Sequence, residues 1–260
     1  MAGRLAGKVA VVTGAGSRGP GVGNGKAAAI LFAREGASVL CVDQGIERAE
    51  ETCAIIADEG NVATSFGADV TDRAACEAMI ATAAERYGHL DILHNNVGIA
   101  SLQSVRDVTE EEWDHVMAVN VKSMVLATQA AIPHLETAGG SIINISSIAA
   151  LRAMGPLTAY STSKAGIIGL TTVLAGQLAD KRIRVNCIAP GQVWTPMVAE
   201  VTGPQARVQR RDASLIQDEG TAWDVGWAAV FLASDESRWV TGQVLVIDGG
   251  VTLTMRDGTA

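Results

Sequence analysis

No stretch of this sequence approaches the roughly 20 consecutive apolar residues that cross a bilayer, although 48% of its residues are hydrophobic. The start carries no basic, apolar leader with a cleavage site either. It runs straight into the strand-like Val9-Ala10-Val11-Val12. The expectation is a cytoplasmic protein with no membrane partner. An excess of positive charge is also missing. The formal charge is −8, with Lys and Arg scattered, which disfavours nucleic acid and anionic lipid as main partners. Cysteine is scarce, and Cys41, Cys53, Cys76 and Cys187 have no metal-like spacing; the four histidines form no metal box. No metal is expected. Cys41 and Cys187 fall in strand-like segments as buried thiols, and His94 reads as a satisfied structural histidine. No internal repeat or low-complexity linker divides the 260 residues, so one domain over 1–260 is expected.

What the sequence has is a strand, a glycine-rich turn and a helix in succession. Val9 to Val12 leads into Thr13-Gly14-Ala15-Gly16-Ser17-Arg18-Gly19-Pro20-Gly21-Val22-Gly23, and a helical run follows over 26–34. Small residues let the backbone approach a pyrophosphate, whose charge exposed amides at the helix start stabilise. Gly14, Ser17, Arg18, Gly21, Val22 and Gly23 are the candidate contacts. The next strand, from Ser38, ends in Asp43, 20 residues after Gly23. At that spacing a carboxylate accepts hydrogen bonds from the adenosine ribose and repels a 2′-phosphate, so NAD is the expected cofactor. Arg18 is a basic residue placed to engage a phosphate, but its loop fixes it less firmly than the strand fixes Asp43.

Helices are expected over 46–59 and 72–87, the second capped by Thr71 and ended by Gly88. The strand between them, 64–68, leads to Asp69 and Val70, one polar and one apolar contact for an adenine. A fourth strand, 90–94, feeds Asn95-Asn96-Val97-Gly98, where Asn95 or Asn96 stitches neighbouring strands and the segment shapes the cofactor cleft. Strands alternating with helices give an α/β fold with a parallel sheet, and ligands bind at the carboxyl ends of its strands.

Thr109-Glu110-Glu111-Glu112 is a capping box ahead of a long helix in which Asn120 sits on an apolar surface. A buried amide there must have both ends hydrogen-bonded, and a backbone distortion that frees a carbonyl for water accounts for it. The strand-like Ser141-Ile142-Ile143-Asn144-Ile145 then delivers Ser146-Ser147, and a helix restarts with Tyr160 and Lys164 four residues apart on one face. A tyrosine near pKa 10 is a poor base at neutral pH; a neighbouring ammonium favours the phenolate. Tyr160 would then exchange a proton with an alcohol or carbonyl oxygen that Ser147 orients. Lys164 would also hold the nicotinamide ribose. A surface helix pair and a serine–lysine hydrolase are the competing readings, and the phosphate site upstream weighs against both.

Asn95-Asn96-Val97-Gly98, Asn120, residues 144–147, Tyr160-Ser161-Thr162-Ser163-Lys164, and Pro190-Gly191 with Thr195 together resemble the classical short-chain dehydrogenase/reductase family over nearly the whole chain. The resemblance implies a Rossmann fold, a doubly wound parallel sheet with helices on both faces. It implies a catalytic tetrad of Asn120, Ser147, Tyr160 and Lys164, with Ser147 preferred to Ser146 because it lies 13 residues before the tyrosine. Asn120 would hold a water linking Lys164 to solvent. Val193 and Thr195 would contact the nicotinamide carboxamide, and Pro190-Gly191 would support its ring. A homotetramer is also implied. Three departures stand out: six residues rather than three between Thr13-Gly14 and Gly21-Val22-Gly23, Val97 for the usual alanine, and Gly176-Gln177 for an apolar residue and glutamate.

Residues 194–218 are expected to cover the substrate. Trp194 and Met197 on one side, Arg152 and Met154 on the other, join Ser147 and Tyr160 as candidate substrate contacts. The function expected is hydride transfer between NAD(H) and a small to medium secondary alcohol or ketone, with sugars, polyols and cyclic diols as examples. The alternatives are a 3-oxoacyl-carrier-protein reductase and, in another class, a non-enzymatic dinucleotide-responsive regulator.

Overall fold

The computed structural model describes residues 3–200 and 202–253. The ends of the expected 1–260 span, and Val201 within the covering segment, lie outside the described residues. Strand and helix alternate as β1 (Val9–Thr13), α1 (Asn24–Arg34), β2 (Ser38–Asp43), α2 (Ile46–Asp58), β3 (Ala63–Gly67), α3 (Arg73–Tyr87) and β4 (Ile92–Asn95). The second half runs α4 (Glu110–Met117), α5 (Ser123–Leu135), β5 (Gly140–Ile145), α6 (Thr158–Leu178), β6 (Ile183–Pro190), α7 (Pro196–Ala199), α8 (Pro204–Asp212), α9 (Ala222–Ala233) and β7 (Val244–Ile247). The seven strands form one sheet in the order β3-β2-β1-β4-β5-β6-β7, and every pairing is parallel.

The pleat divides the apolar residues between two layers. Ala10 and Val12 of β1 pack with α1, α2 and α9 on one face. Val9 and Val11, pointing the other way, pack with α3, α5 and α6. This is the doubly wound sheet the sequence implies. Strand order reverses between β1 and β4, so the chain diverges above their carboxyl ends and leaves a crevice.

Local signals set the element ends, with some corrections. Asp72, not Thr71, caps α3 by accepting from the Ala75 amide at 2.7 Å. Thr71 instead donates its hydroxyl to Asp69. Gly88 closes that helix in the left-handed region, as its sequence position suggests. Thr221 and Asp224 form a reciprocal capping box that starts α9.

Between α4 and α5 the helix widens into a π turn over Ala118–Lys122 and then continues, so Asn120 does sit on a distorted backbone. The joined segment, Glu110–Leu135, has 26 residues and is long and apolar enough to span a bilayer by length and composition. The sequence reading missed it because α4 begins with three glutamates. Half of its most apolar window is buried inside the protein, as in a core helix.

His94 also differs from expectation. Its ring meets Phe32 edge-to-face at 5.8 Å between centroids, but neither ring nitrogen has a hydrogen-bond partner among the described residues. Burial pushes its pKa down to about 3, so the ring is neutral.

Candidate active site

The cleft begins where β1 ends. Gly14 takes a positive φ of 63°, which turns the chain sharply under the start of α1. The closest approach of helix to strand falls two residues later than the sequence spacing suggests. A Cβ on Gly25 would lie 2.1 Å from the Gly14 carbonyl oxygen and 2.4 Å from Asn96 Nδ2. Gly23 is the N-cap, and its amide donates to Ser17 Oγ at 2.9 Å. The Gly-X-Gly packed against the β1 turn is therefore Gly23-Asn24-Gly25, with the eight residues 15–22 looping out before it. Gly21 and Val22 do not line the cleft; Gly16, Asn24 and Gly25 do. A Cβ on Gly21 would instead face Pro196 of α7 at 3.6 Å.

Gly25→Ala is expected to destabilise the protein by about 1–3 kcal/mol, since the methyl overlaps backbone that cannot step aside. Urea midpoints measure it, with Gly169→Ala in α6 as the comparison. A Cβ at Gly169 meets nothing within 4 Å, so that change should be neutral or stabilising.

Both asparagines at the end of β4 stitch strands. Asn95 donates to Asn144 Oδ1 on β5 at 3.0 Å, and Asn144 donates on to Thr171 Oγ1 of α6. Asn96 donates from its amide nitrogen to Thr13 O and Gly14 O and from its backbone to Thr13 Oγ1. Asp43, at the end of β2, accepts from the amides of Gly16 and Gly45, both at 3.1 Å. Arg48 closes on the same carboxylate at 2.7 Å. Asp69 accepts from the Thr71 hydroxyl and amide, which hold its carboxyl below the usual range.

At the other end of the cleft β5 delivers two serines with different fates. Ser146 is buried, its hydroxyl donating to the Lys164 carbonyl at 2.7 Å. Ser147 is partly open to the cleft and accepts from the Ala149 amide at 3.2 Å; its hydroxyl lies near enough to the Tyr160 phenol to favour the phenolate. Lys164 is buried, with Nζ donating to the Ile145 carbonyl at 2.9 Å and lying 5.7 Å from the centre of the Tyr160 ring. Burial lowers its pKa to about 8. Asn120 is fully buried and fully paired. Its Oδ1 accepts from the Ile99 amide at 2.8 Å, and its Nδ2 donates to Ile99 O and Ser163 Oγ.

One electrostatic expectation is overturned. The Tyr160 phenol is pushed up by burial, and the opposing influence is the nearby Ser147 hydroxyl, not the ammonium. Lys164 lies towards the ring and spends a proton on a backbone carbonyl, so in this state it does little to acidify the phenol.

All the sequence-predicted cofactor contacts except Gly21 and Val22 line one continuous cleft of about 340 Å³. Of the substrate candidates, Ser147, Tyr160 and Met197 line it; Arg152, Met154 and Trp194 do not. Arg152 donates to the Leu151 and Thr252 carbonyls. Trp194 is covered by the Arg207 guanidinium, 4.1 Å from its ring. Pro196 and Val198 of α7 and Ile99 line the cleft instead, together with Arg48, which the sequence did not single out.

A glycine cradle at a helix start, an acid at the end of the next strand and a Ser–Tyr–Lys cluster across the same crevice define a dinucleotide-dependent oxidoreductase site. Comparison with known proteins agrees. A family model described as enoyl-(acyl carrier protein) reductase matches residues 21–252. The 3-oxoacyl-[acyl-carrier-protein] reductase of Thermotoga maritima is 37% identical over 251 residues, covering 96% of this chain and 100% of its own. The D-threitol dehydrogenase of Mycolicibacterium smegmatis is 37% identical over 254 residues, covering 96% and 95%. Among solved structures, a 7α-hydroxysteroid dehydrogenase complexed with NADH and 7-oxoglycochenodeoxycholic acid superposes with a TM-score of 0.90 at 34% identity, covering 95% of each chain. The chain belongs to the short-chain dehydrogenase/reductase family.

Proposed function

We propose that this oxidoreductase is an NAD-dependent dehydrogenase and ketone reductase for small to medium secondary alcohols, a class that includes sugars, polyols and cyclic diols. The observation that carries the reading is the convergence of Ser147, Tyr160 and Lys164 on one cleft wall, with Asn120 hydrogen-bonded to Ser163 of the same helix. The cleft suits a dinucleotide, because glycines line the turn at the start of α1 and leave backbone open to a pyrophosphate. Gly14, Gly16 and Gly23 to Gly25 would face the pyrophosphate, Asp43 the adenosine ribose, and Asp69 and Val70 the adenine. Pro190, Gly191, Val193 and Thr195 would face the nicotinamide. When bound, that ring supplies or accepts the hydride.

The protein's part is proton transfer and orientation. Ser147 positions the substrate oxygen beside the phenol, and Tyr160 gives that oxygen a proton in reduction or takes one in oxidation. Lys164 keeps positive charge beside the ring through either direction. Asn120, held by Ile99 and Ser163 on the π turn, fixes the floor on which a proton leaves towards solvent. Met197 and Val198 of α7, with Ile99, give the substrate end an apolar wall, which favours a compact carbon skeleton over a highly charged one.

The Thermotoga relative favours a second reading, reduction of a 3-oxoacyl thioester. NAD-coupled assays across polyols, cyclic diols, hydroxysteroids and a 3-oxoacyl thioester separate the two. Turnover is expected on secondary alcohols. Exclusive turnover of the thioester selects the second reading, and firm dinucleotide binding without turnover on any of them would point to a regulator.

A further inference from the structure

The acid that should select NAD is not a bare charge. Asp43 Oδ1 accepts from the Gly45 amide, from Arg48 Nε at 3.0 Å and from Arg48 Nη2 at 2.7 Å, while Oδ2 accepts from the Gly16 amide. Two backbone amides therefore anchor the carboxylate without the guanidinium. Both arginine contacts fall on one oxygen, so the two-oxygen fork that makes such pairs strongest is unused. The Arg48 side chain is 28% exposed and that of Asp43 11%, and both line the cleft. Arg48 forms no other ion pair among the described residues, and the exposed Arg18 lines the same cleft with no ion pair among them either.

We propose that Arg48 sets the cofactor selectivity by tolerating a 2′-phosphate, neutralising Asp43 in the resting state and turning its guanidinium onto the phosphate when NADP enters. A phosphate offers that guanidinium a doubly charged, bidentate partner in place of one carboxylate oxygen. Asp43, still held by Gly16 and Gly45, accepts from ribose hydroxyls when NAD enters. The wild-type protein then prefers NAD, but by less than an unpaired aspartate would impose. This proposal rests on reading the cleft as a dinucleotide site.

The opposite role, Arg48 bracing Asp43 for the ribose, predicts the opposite sign, so one measurement separates them. Dissociation constants of NAD and NADP are determined by calorimetry on the full chain, without an alcohol, for wild type, Arg48→Ala and Arg48→Lys. Arg48→Ala is expected to weaken NADP relative to NAD by about tenfold, the size of one lost charge-assisted contact. Arg48→Lys, which keeps the charge without the fork, should fall between the two. A selectivity ratio that stays within about twofold of wild type, or moves towards NADP, overturns the role of Arg48 while leaving the dinucleotide site standing. Wild-type protein that binds neither nucleotide overturns the site and this proposal together.

Discussion

Replacing Tyr160 by phenylalanine is expected to lower turnover by about three orders of magnitude while leaving NADH bound. The ring remains, so the packing of Lys164 against its face persists; only the hydroxyl that carries the proton beside Ser147 is lost. Pre-steady-state mixing with an alcohol and NAD should show no burst of NADH, whereas nucleotide fluorescence titration should change little. The pH dependence gives an independent signature. Burial raises the phenol above its ordinary value, so at neutral pH Tyr160 is a ready acid and a scarce base. Alcohol oxidation should accelerate from neutral into alkaline pH, and ketone reduction should stay flat over the same range. Near-wild-type turnover in the variant would remove Tyr160 from the chemistry.

How far the sequence could be read depended on whether a feature is local or is made by two distant segments. The parallel sheet was legible because apolar runs alternate with helical ones, and Tyr160 and Lys164 because a helix alone places them on one face. Asn120 was legible as strained, since a buried amide in an apolar helix needs both ends paired. Its partners, Ile99 and Ser163, lie 21 and 43 residues away and follow no local rule. The glycine loop misled by abundance: with glycine at 14, 16, 19, 21, 23 and 25, spacing alone chose Gly21-Val22-Gly23. Contact with Gly14 and Asn96 chooses Gly25. Trp194 looked like a substrate wall because it follows the β6 exit. The backbone bond from its amide to Gly220 O and the stacked Arg207 hold it elsewhere. Arg48 lies only five residues after Asp43, but the turn from β2 into α2, and not strand or helix spacing, folds it back onto the acid.

Lys164→Met should remove activity and yet raise thermal stability at neutral pH. The buried ammonium has one hydrogen bond, to Ile145 O, and no carboxylate partner among the described residues. Desolvation lowers its pKa from 10.5 to about 8, a penalty on the folded, charged form of about 3 kcal/mol. Between these two values the unfolded chain binds a proton that the folded chain does not, so stability rises with pH across that window. Below about 8 both states are protonated and the full penalty applies; above 10.5 both are neutral and it vanishes. An isosteric methionine escapes it at every pH. Melts of the nucleotide-free proteins should therefore place the variant several degrees above wild type at pH 7, the gap narrowing between about pH 8 and 10.5 and gone above that. A variant that melts lower at pH 7 would mean that Lys164 holds the fold together through its contacts. A gap independent of pH would mean that its charge is not what the native state must accommodate. The expected pattern is that of a site kept at the expense of stability, a cation retained in an apolar floor because the reaction beside it requires one.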